Sequence, residues 1–291
     1  MKKKEEYSNV ERIVLHNNKY LWIVYKNSIF IYDKKDYIQL EENINTIQNF
    51  NSMTLFTNED NNLFSIKEKT ITYVGNGFAL ESALFMTKYF FIPKKENDIY
   101  NYVIYDENLT QSAKAIWPLN FAFSEFLYYY NNQIIKQYDF RQYIYIWQTD
   151  ISSYGKYLNL KDEQQPNEID GSLMGYENLL FVPLRGGQLL ALDVETGKEA
   201  WMLKQDISGQ YANIGNKIYK KNRILYEIDT YSGEILRQKE DWDGFISAGP
   251  IWAYDDVLII VNILEGDVVL LDRKTFEIRD KININGRMAH W

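Results

Sequence analysis

Aspartate recurs in this sequence at the ends of apolar runs, at Asp33, Asp106, Asp139, Asp193, Asp229 and Asp272. Two carboxylates facing one another across a cleft can cleave a glycosidic bond by general acid and base catalysis, but that chemistry needs one particular pair at one place. A carboxylate repeated at equivalent points, each just before a turn, fits capping of backbone N–H groups instead. The two histidines, His16 and His290, could make a metal-ligand or acid–base pair if the chain ends meet. Neither is flanked by a nucleophile motif, and the simpler reading is two partly buried or exposed imidazoles. There is no cysteine, which excludes thiolate metal sites, disulfides, a cysteine nucleophile and a lipid-bearing cysteine. Glu265-Gly266-Asp267 and Asp255-Asp256 lack the ligand spacing of a calcium loop. Gly75-Asn76-Gly77 and Gly186-Gly187 precede no helix, so they read as turns rather than phosphate cradles. The sequence therefore predicts no catalytic residue, no metal and no cofactor.

The elements that carry these aspartates are strands. Gln188 to Leu192 reaches Asp193, passes the turn Val194-Glu195-Thr196-Gly197, and returns as a second strand ending in Trp201. Weaker copies follow Ile29-Phe30-Ile31-Tyr32-Asp33, Leu63 to Lys67, Tyr102 to Asp106, Ile134 to Asp139, Ile224 to Asp229 and Val268 to Asp272. With the central copy these are seven frames about 40 residues apart, the length of a four-stranded propeller blade. Each is preceded by another strand-length apolar run: Tyr20 to Tyr25, Met53 to Thr57, Tyr89 to Pro93, Phe126 to Tyr130, Leu179 to Pro183, Lys217 to Tyr219 and Val257 to Val261. A shorter segment upstream, clearest in Ser247 to Trp252, completes four strands, a to d, per unit. Apolar residues do not recur at helical spacing. The expectation is an all-β propeller of four-stranded blades, seven rather than eight, forming a single domain over 1–291. Gly286 to Trp291 reads as the start of a further strand a, which either closes the ring against the first unit or marks a shortened chain.

The pattern Ala191-x-Asp193-x-x-Thr196-Gly197-Lys198-Glu199-x-Trp201 resembles the tryptophan-docking repeat of the pyrroloquinoline-quinone-type β-propellers, a superfamily that includes quinoprotein alcohol dehydrogenases and a propeller lipoprotein of outer-membrane assembly. The resemblance implies that Asp193 accepts turn hydrogen bonds, that Gly197 supplies a positive φ, that Ala191 leaves room for a ring, and that Trp201 packs between adjacent blades. It also implies adjacent cysteines beside a quinone, a calcium cluster, or a cysteine anchor, and none of these is found here. The resemblance thus extends to architecture and not to quinone chemistry.

A net charge of −8 disfavours nucleic acid, whose affinity comes from clustered Lys and Arg. A basic protein partner suits that charge better. The N-terminal lysines are followed by no apolar segment, and no run of about 18 or more apolar residues occurs, so the sequence predicts a cytoplasmic chain without a membrane span. Tyr128-Tyr129-Tyr130 cannot form one stacking platform, because consecutive strand residues face opposite sides, and reads as core. The best candidate for a functional loop is the polar insertion at about 149–170, with Tyr154, Tyr157 and Lys161. Propeller connectivity puts it on the face that carries Lys94, Lys95, Arg185 and Lys221, a partly basic rim where a partner protein would bind. The alternative is a small-molecule binder or enzyme with its site in the central funnel, formed by His16, Asp170, Trp252 and His290.

Overall fold

The computed structural model describes residues 12–16, 20–31, 34–86, 88–97, 99–115, 119–204, 210–221, 224–240, 251–262 and 267–283. Asp33, His290, the segment Ser247 to Pro250 and the closing stretch Gly286 to Trp291 lie outside them. Among the described residues the chain forms seven four-stranded antiparallel sheets, each with its strands in sequence order, the blades of a seven-bladed β-propeller. It divides into two compact units, Met1–Phe126 and Leu127–Trp291.

In the first unit, the first blade pairs Arg12–His16, Tyr20–Tyr25, Ser28–Ile31 and Asp36–Gln39. The second pairs Thr46–Phe50, Met53–Thr57, Leu63–Lys67 and Thr70–Gly75. The third pairs Leu84–Phe85, Tyr89–Glu96, Ile99–Asp106 and Gln111–Ala115. The inner strands are buried on both faces and so read as continuous apolar runs: Met53–Thr57 is buried at every position. Core forms between blades. Val24, Ile29 and Ile38 of the first pack on Phe56 and Ile66 of the second, and Phe50 and Leu55 of the second pack on Phe90 and Val103 of the third.

The fourth blade pairs Phe121–Phe123, Phe126–Tyr130, Ile134–Asp139 and Ile144–Asp150. Tyr128 is fully buried in it, as core. The fifth pairs Met174–Tyr176, Leu179–Pro183, Leu189–Asp193 and Glu199–Leu203. The sixth pairs Gln210–Ile214, Lys217–Lys221, Leu225–Asp229 and Ile235–Lys239, and the seventh Ile251–Tyr254, Val257–Asn262, Asp267–Asp272 and Ile278–Asn283.

The recurring aspartates are turn caps. Asp193 accepts from the backbone N–H of Thr196 (2.9 Å), Asp229 from Tyr231 and Ser232 (3.0 and 3.1 Å), and Asp272 from Lys274 and Thr275 (2.8 and 2.9 Å). Asp106 accepts from Asn108 and Thr110, and Asp139 from Arg141. In all five of these blades the pairing of strands c and d shifts by one residue just before the aspartate, as between Ala191 and Leu192, and this bulge adds local twist. Asp193→Ala is expected to cost about 1 kcal/mol in a denaturant titration, since it removes the acceptor of the Thr196 N–H and hydroxyl. Burial pushes the Asp139 carboxyl up, but hydrogen bonds and charge from Arg141 outweigh it and leave the group below its ordinary value; Asp229 behaves alike, with Lys217 as the partner. Arg279 and the turn N–H groups hold Asp272 well below the ordinary range. Groups lowered in this way stabilise the fold above their unfolded value near 3.8 and lose that contribution as pH falls through their folded value. The melting temperature is therefore expected to fall progressively below about pH 4.

The joints between blades are built on the residues after these caps. Trp147, at the end of the fourth blade, lies over Gly197 in the turn of the fifth and donates from Nε1 to the Val194 carbonyl (2.9 Å). Trp201 of the fifth lies over Gly233 of the sixth and donates to the Thr230 carbonyl (3.0 Å). The next joint changes chemistry. Arg237 occupies the register place of Trp201, stacks 3.7 Å from the Phe276 ring centre, and donates to the carbonyls of Arg273 (2.8 Å) and Lys274. Phe276 takes the place of Gly197 and Gly233 and shares their positive φ (61°).

Candidate functional site

The outer strand of the fourth blade runs to Asp150, so the polar insertion begins at Ile151 rather than at Thr149, and it folds. The Asp150 carboxylate accepts from the Ser152 N–H (2.9 Å) and starts a 3₁₀ turn, Ile151–Ser153. Ile151 is fully buried and anchors the start, its N–H bonded to the Gln133 carbonyl (2.7 Å). The far end is tied to the same turn, Ile169 N–H donating to the Asn132 carbonyl (2.7 Å). Between these anchors Lys156–Leu158 pairs with Gln164–Pro166 as a hairpin.

Two side chains organise the hairpin. At its tip, Asn159 accepts from the N–H groups of Lys161 (2.9 Å) and Glu163 (3.0 Å), and its amide donates to the Glu163 carboxylate (2.9 Å). At its base, Asn167 is 0 % exposed. Its amide donates to the Tyr154 carbonyl (3.2 Å) and Gln188 Oε1 (2.9 Å), and its Oδ1 accepts from the Gly186 N–H (3.0 Å). The hairpin is thereby fixed to the Leu184–Gln188 turn of the fifth blade. Arg185 of that turn donates to Glu168 (2.9 Å) and to the Tyr157 hydroxyl (3.4 Å), with its guanidinium 5.3 Å from the Tyr157 ring centre. Hydrogen bonding to Tyr157, with the charges of Glu168 and Asp170 nearby, raises the pKa of Arg185 above its ordinary value.

A rigid base thus presents an apolar tip. Leu158 is 62 % exposed and Leu160 is 106 % exposed, although both are leucines in an otherwise polar stretch. Burying such a side chain in a partner gains about 1.5–3 kcal/mol, whereas the exposed ion pair of Arg185 and Glu168 contributes little. Asn167→Leu would leave the Gly186 N–H and Gln188 without partners, and is expected to cost about 2 kcal/mol and to raise amide exchange in residues 154–168.

Of the sequence-predicted residues, Tyr154, Tyr157, Lys161 and Arg185 meet in this lobe, and exposed Asp170 lies close enough to act on Arg185. Lys94 and Lys95 belong to the first unit and are not in a loop. Their strand continues to Glu96, with Lys94 5.4 Å from the Phe78 ring centre and 3.4 Å from the Glu96 carboxylate. Lys221 corrects the rim reading: its strand also continues, to Lys221 itself, and that side chain is 2 % exposed. Lysine stems are apolar enough to lengthen a strand inward. Of the funnel residues, His16 ends the first strand of the first blade, and Trp252 stands half-exposed in the first strand of the seventh. Among the described residues no group of three His, Cys, Asp or Glu side chains could hold a metal, and no helix is long and apolar enough to cross a membrane. The sequence reading missed Leu158, Leu160 and Asn167. The signal was Leu158-Asn159-Leu160, an apolar alternation inside a polar run.

No family model and no curated protein sequence matches this chain. Solved structures do. BamB from Moraxella catarrhalis is 13% identical over 92% of this chain and 86% of its own, with a TM-score of 0.59. The computationally designed Ika8 protein is 11% identical over 95% and 87%, also at 0.59. The dihydro-heme d1 dehydrogenase NirN, in complex with DHE, is 11% identical over 96% of this chain and 67% of its own, at 0.63. A dehydrogenase and a designed protein on one architecture mean that the likeness extends to the β-propeller fold and no further.

Proposed function

We propose that this chain is a non-enzymatic binding scaffold, a propeller of the pyrroloquinoline-quinone-type repeat kind without the cofactor, whose partner-facing element is the hairpin of residues 156–166. The partner we infer is a basic protein, neutralised by this acidic chain in the manner of an immunity protein and its toxin. One observation carries the reading: an apolar pair, Leu158 and Leu160, is held out in solvent by a base whose central amide, Asn167, is fully buried and bonded on both its oxygen and its nitrogen. Rigid presentation lowers the ordering cost of binding. The net charge of −8 favours a cationic partner.

A photo-crosslinking residue at position 160 tests this, with a second at the exposed Ile99 of the third blade as comparison. The proposal expects one dominant protein adduct from position 160 in cells of the source, lost when the partner is competed away by unlabelled chain. Equal, diffuse labelling from both positions would overturn it.

A further inference from the structure

A cavity of about 330 Å³ opens beside the segment that joins the first two blades, and its lining is of two kinds. One wall is aromatic and aliphatic: Phe56 and Phe64 are stacked at 4.9 Å with their planes 11° apart, and Leu40 and Ile71 complete it; behind it Tyr73 meets Phe64 edge-on at 5.5 Å. The other wall carries two exposed carboxylates, Glu41 and Glu42. Neither meets a cation among the described residues. Glu42 is fixed, since its Oε2 accepts from the amide of Asn58 (3.1 Å), a side chain that is 2 % exposed. Asn58 is itself locked by accepting from the N–H groups of Asp60 and Asn62. Leu40 is held by its N–H bond to the Asn27 carbonyl (3.0 Å).

An aromatic lining beside two exposed carboxylates, one of them fixed by Asn58, matches one kind of group: a planar cation on an aliphatic stem. The stem packs on Ile71 and Leu40, the cation lies on the ring quadrupole, and the carboxylates accept its N–H groups in parallel pairs. The volume is at the small end for ligand pockets and suits a single side chain. A lysine ammonium would match the charge but not the planar stacking. We propose that this cavity receives an arginine side chain projecting from another protein. The inference is separate from the hairpin and stands or falls without it.

The test follows the Ile71 and Leu40 methyl signals of the full-length chain while N-acetyl-arginine-N-methylamide, its lysine and norleucine counterparts, free agmatine, and the peptide Gly-Gly-Arg-Gly-Gly are added in turn. The expected result is saturable shifts with the arginine amide and the arginine peptide, weakened at least ten-fold by Glu41→Gln/Glu42→Gln at an unchanged melting temperature and weakened by added salt. Norleucine should give none, and lysine should bind several-fold more weakly. Three results would overturn the proposal: no saturable shift with either arginine probe, shifts from norleucine as strong as from arginine, or arginine binding indifferent to Glu41→Gln/Glu42→Gln. Agmatine binding at least ten-fold tighter than the arginine peptide would also overturn it, by assigning the cavity to a free amine.

Discussion

Gly197→Ala is expected to lower the unfolding free energy by about 3 kcal/mol. Gly197 sits at φ +68°, where a side chain costs about 1 kcal/mol, and an added Cβ would lie 2.5 Å from Cδ2 and Cε3 of Trp147. No real carbon pair tolerates that approach, so the indole must withdraw. It then loses its stacking and its 2.9 Å hydrogen bond to Val194. Gly215→Ala is the internal control. That glycine has a similar φ, +60°, with nothing within 4 Å of the position a Cβ would take, so it should report the backbone strain alone. Denaturant titrations of the two variants should differ by about 2 kcal/mol, the share that belongs to the docked ring. Trp201→Ala, at the next joint, should lose about 3 kcal/mol for the same reason. Equal losses at Gly197 and Gly215 would mean that Trp147 is not docked.

Lys221→Met should remove a rise in stability with pH that the wild type shows in the alkaline range. Burial brings the Lys221 ammonium down from its ordinary 10.5 to about 8. Between those values the unfolded chain holds a proton that the folded chain has released, so stability rises with pH across that window. Below pH 8 both states are charged, and the cost of keeping the ammonium in the blade is fully present. A methionine has a similar length and no charge to desolvate. Unfolding followed from pH 7.5 to 9.5 should show a rise in the wild type that the variant lacks. A variant with the same pH slope as the wild type would contradict the assignment.

The contrast between these residues marks where the sequence was readable. A strand end followed by turn donors two to four residues on leaves a carboxylate one natural use, so Asp106, Asp139, Asp193, Asp229 and Asp272 could be assigned as caps from local chemistry alone. Trp201 was readable because its partner glycine keeps the same spacing in the fifth and sixth blades. Arg237 and Phe276 were not. Both members of that joint change together, and only the register that aligns Arg237 with Trp201 makes them equivalent. Lys221 was misplaced because residue type predicts exposure for lysine, while burial is decided by how far its strand continues into the blade. In the insertion the polar composition hid a folded hairpin. Its stability comes from backbone bonds and one buried asparagine, and neither leaves an apolar period to find.

The central claim is that the joints hold the blades while the hairpin meets the partner. The most direct test is Leu158→Ser/Leu160→Ser, measured both for thermal unfolding and for affinity to the protein crosslinked from position 160. Both leucines are solvent-exposed, so the melting temperature should stay within a degree or two of wild type. The affinity should fall about 100-fold or more, as expected when two anchors of roughly 1.5 kcal/mol each are removed. An affinity unchanged by the double substitution, in a chain that still melts like the wild type, would contradict the claim.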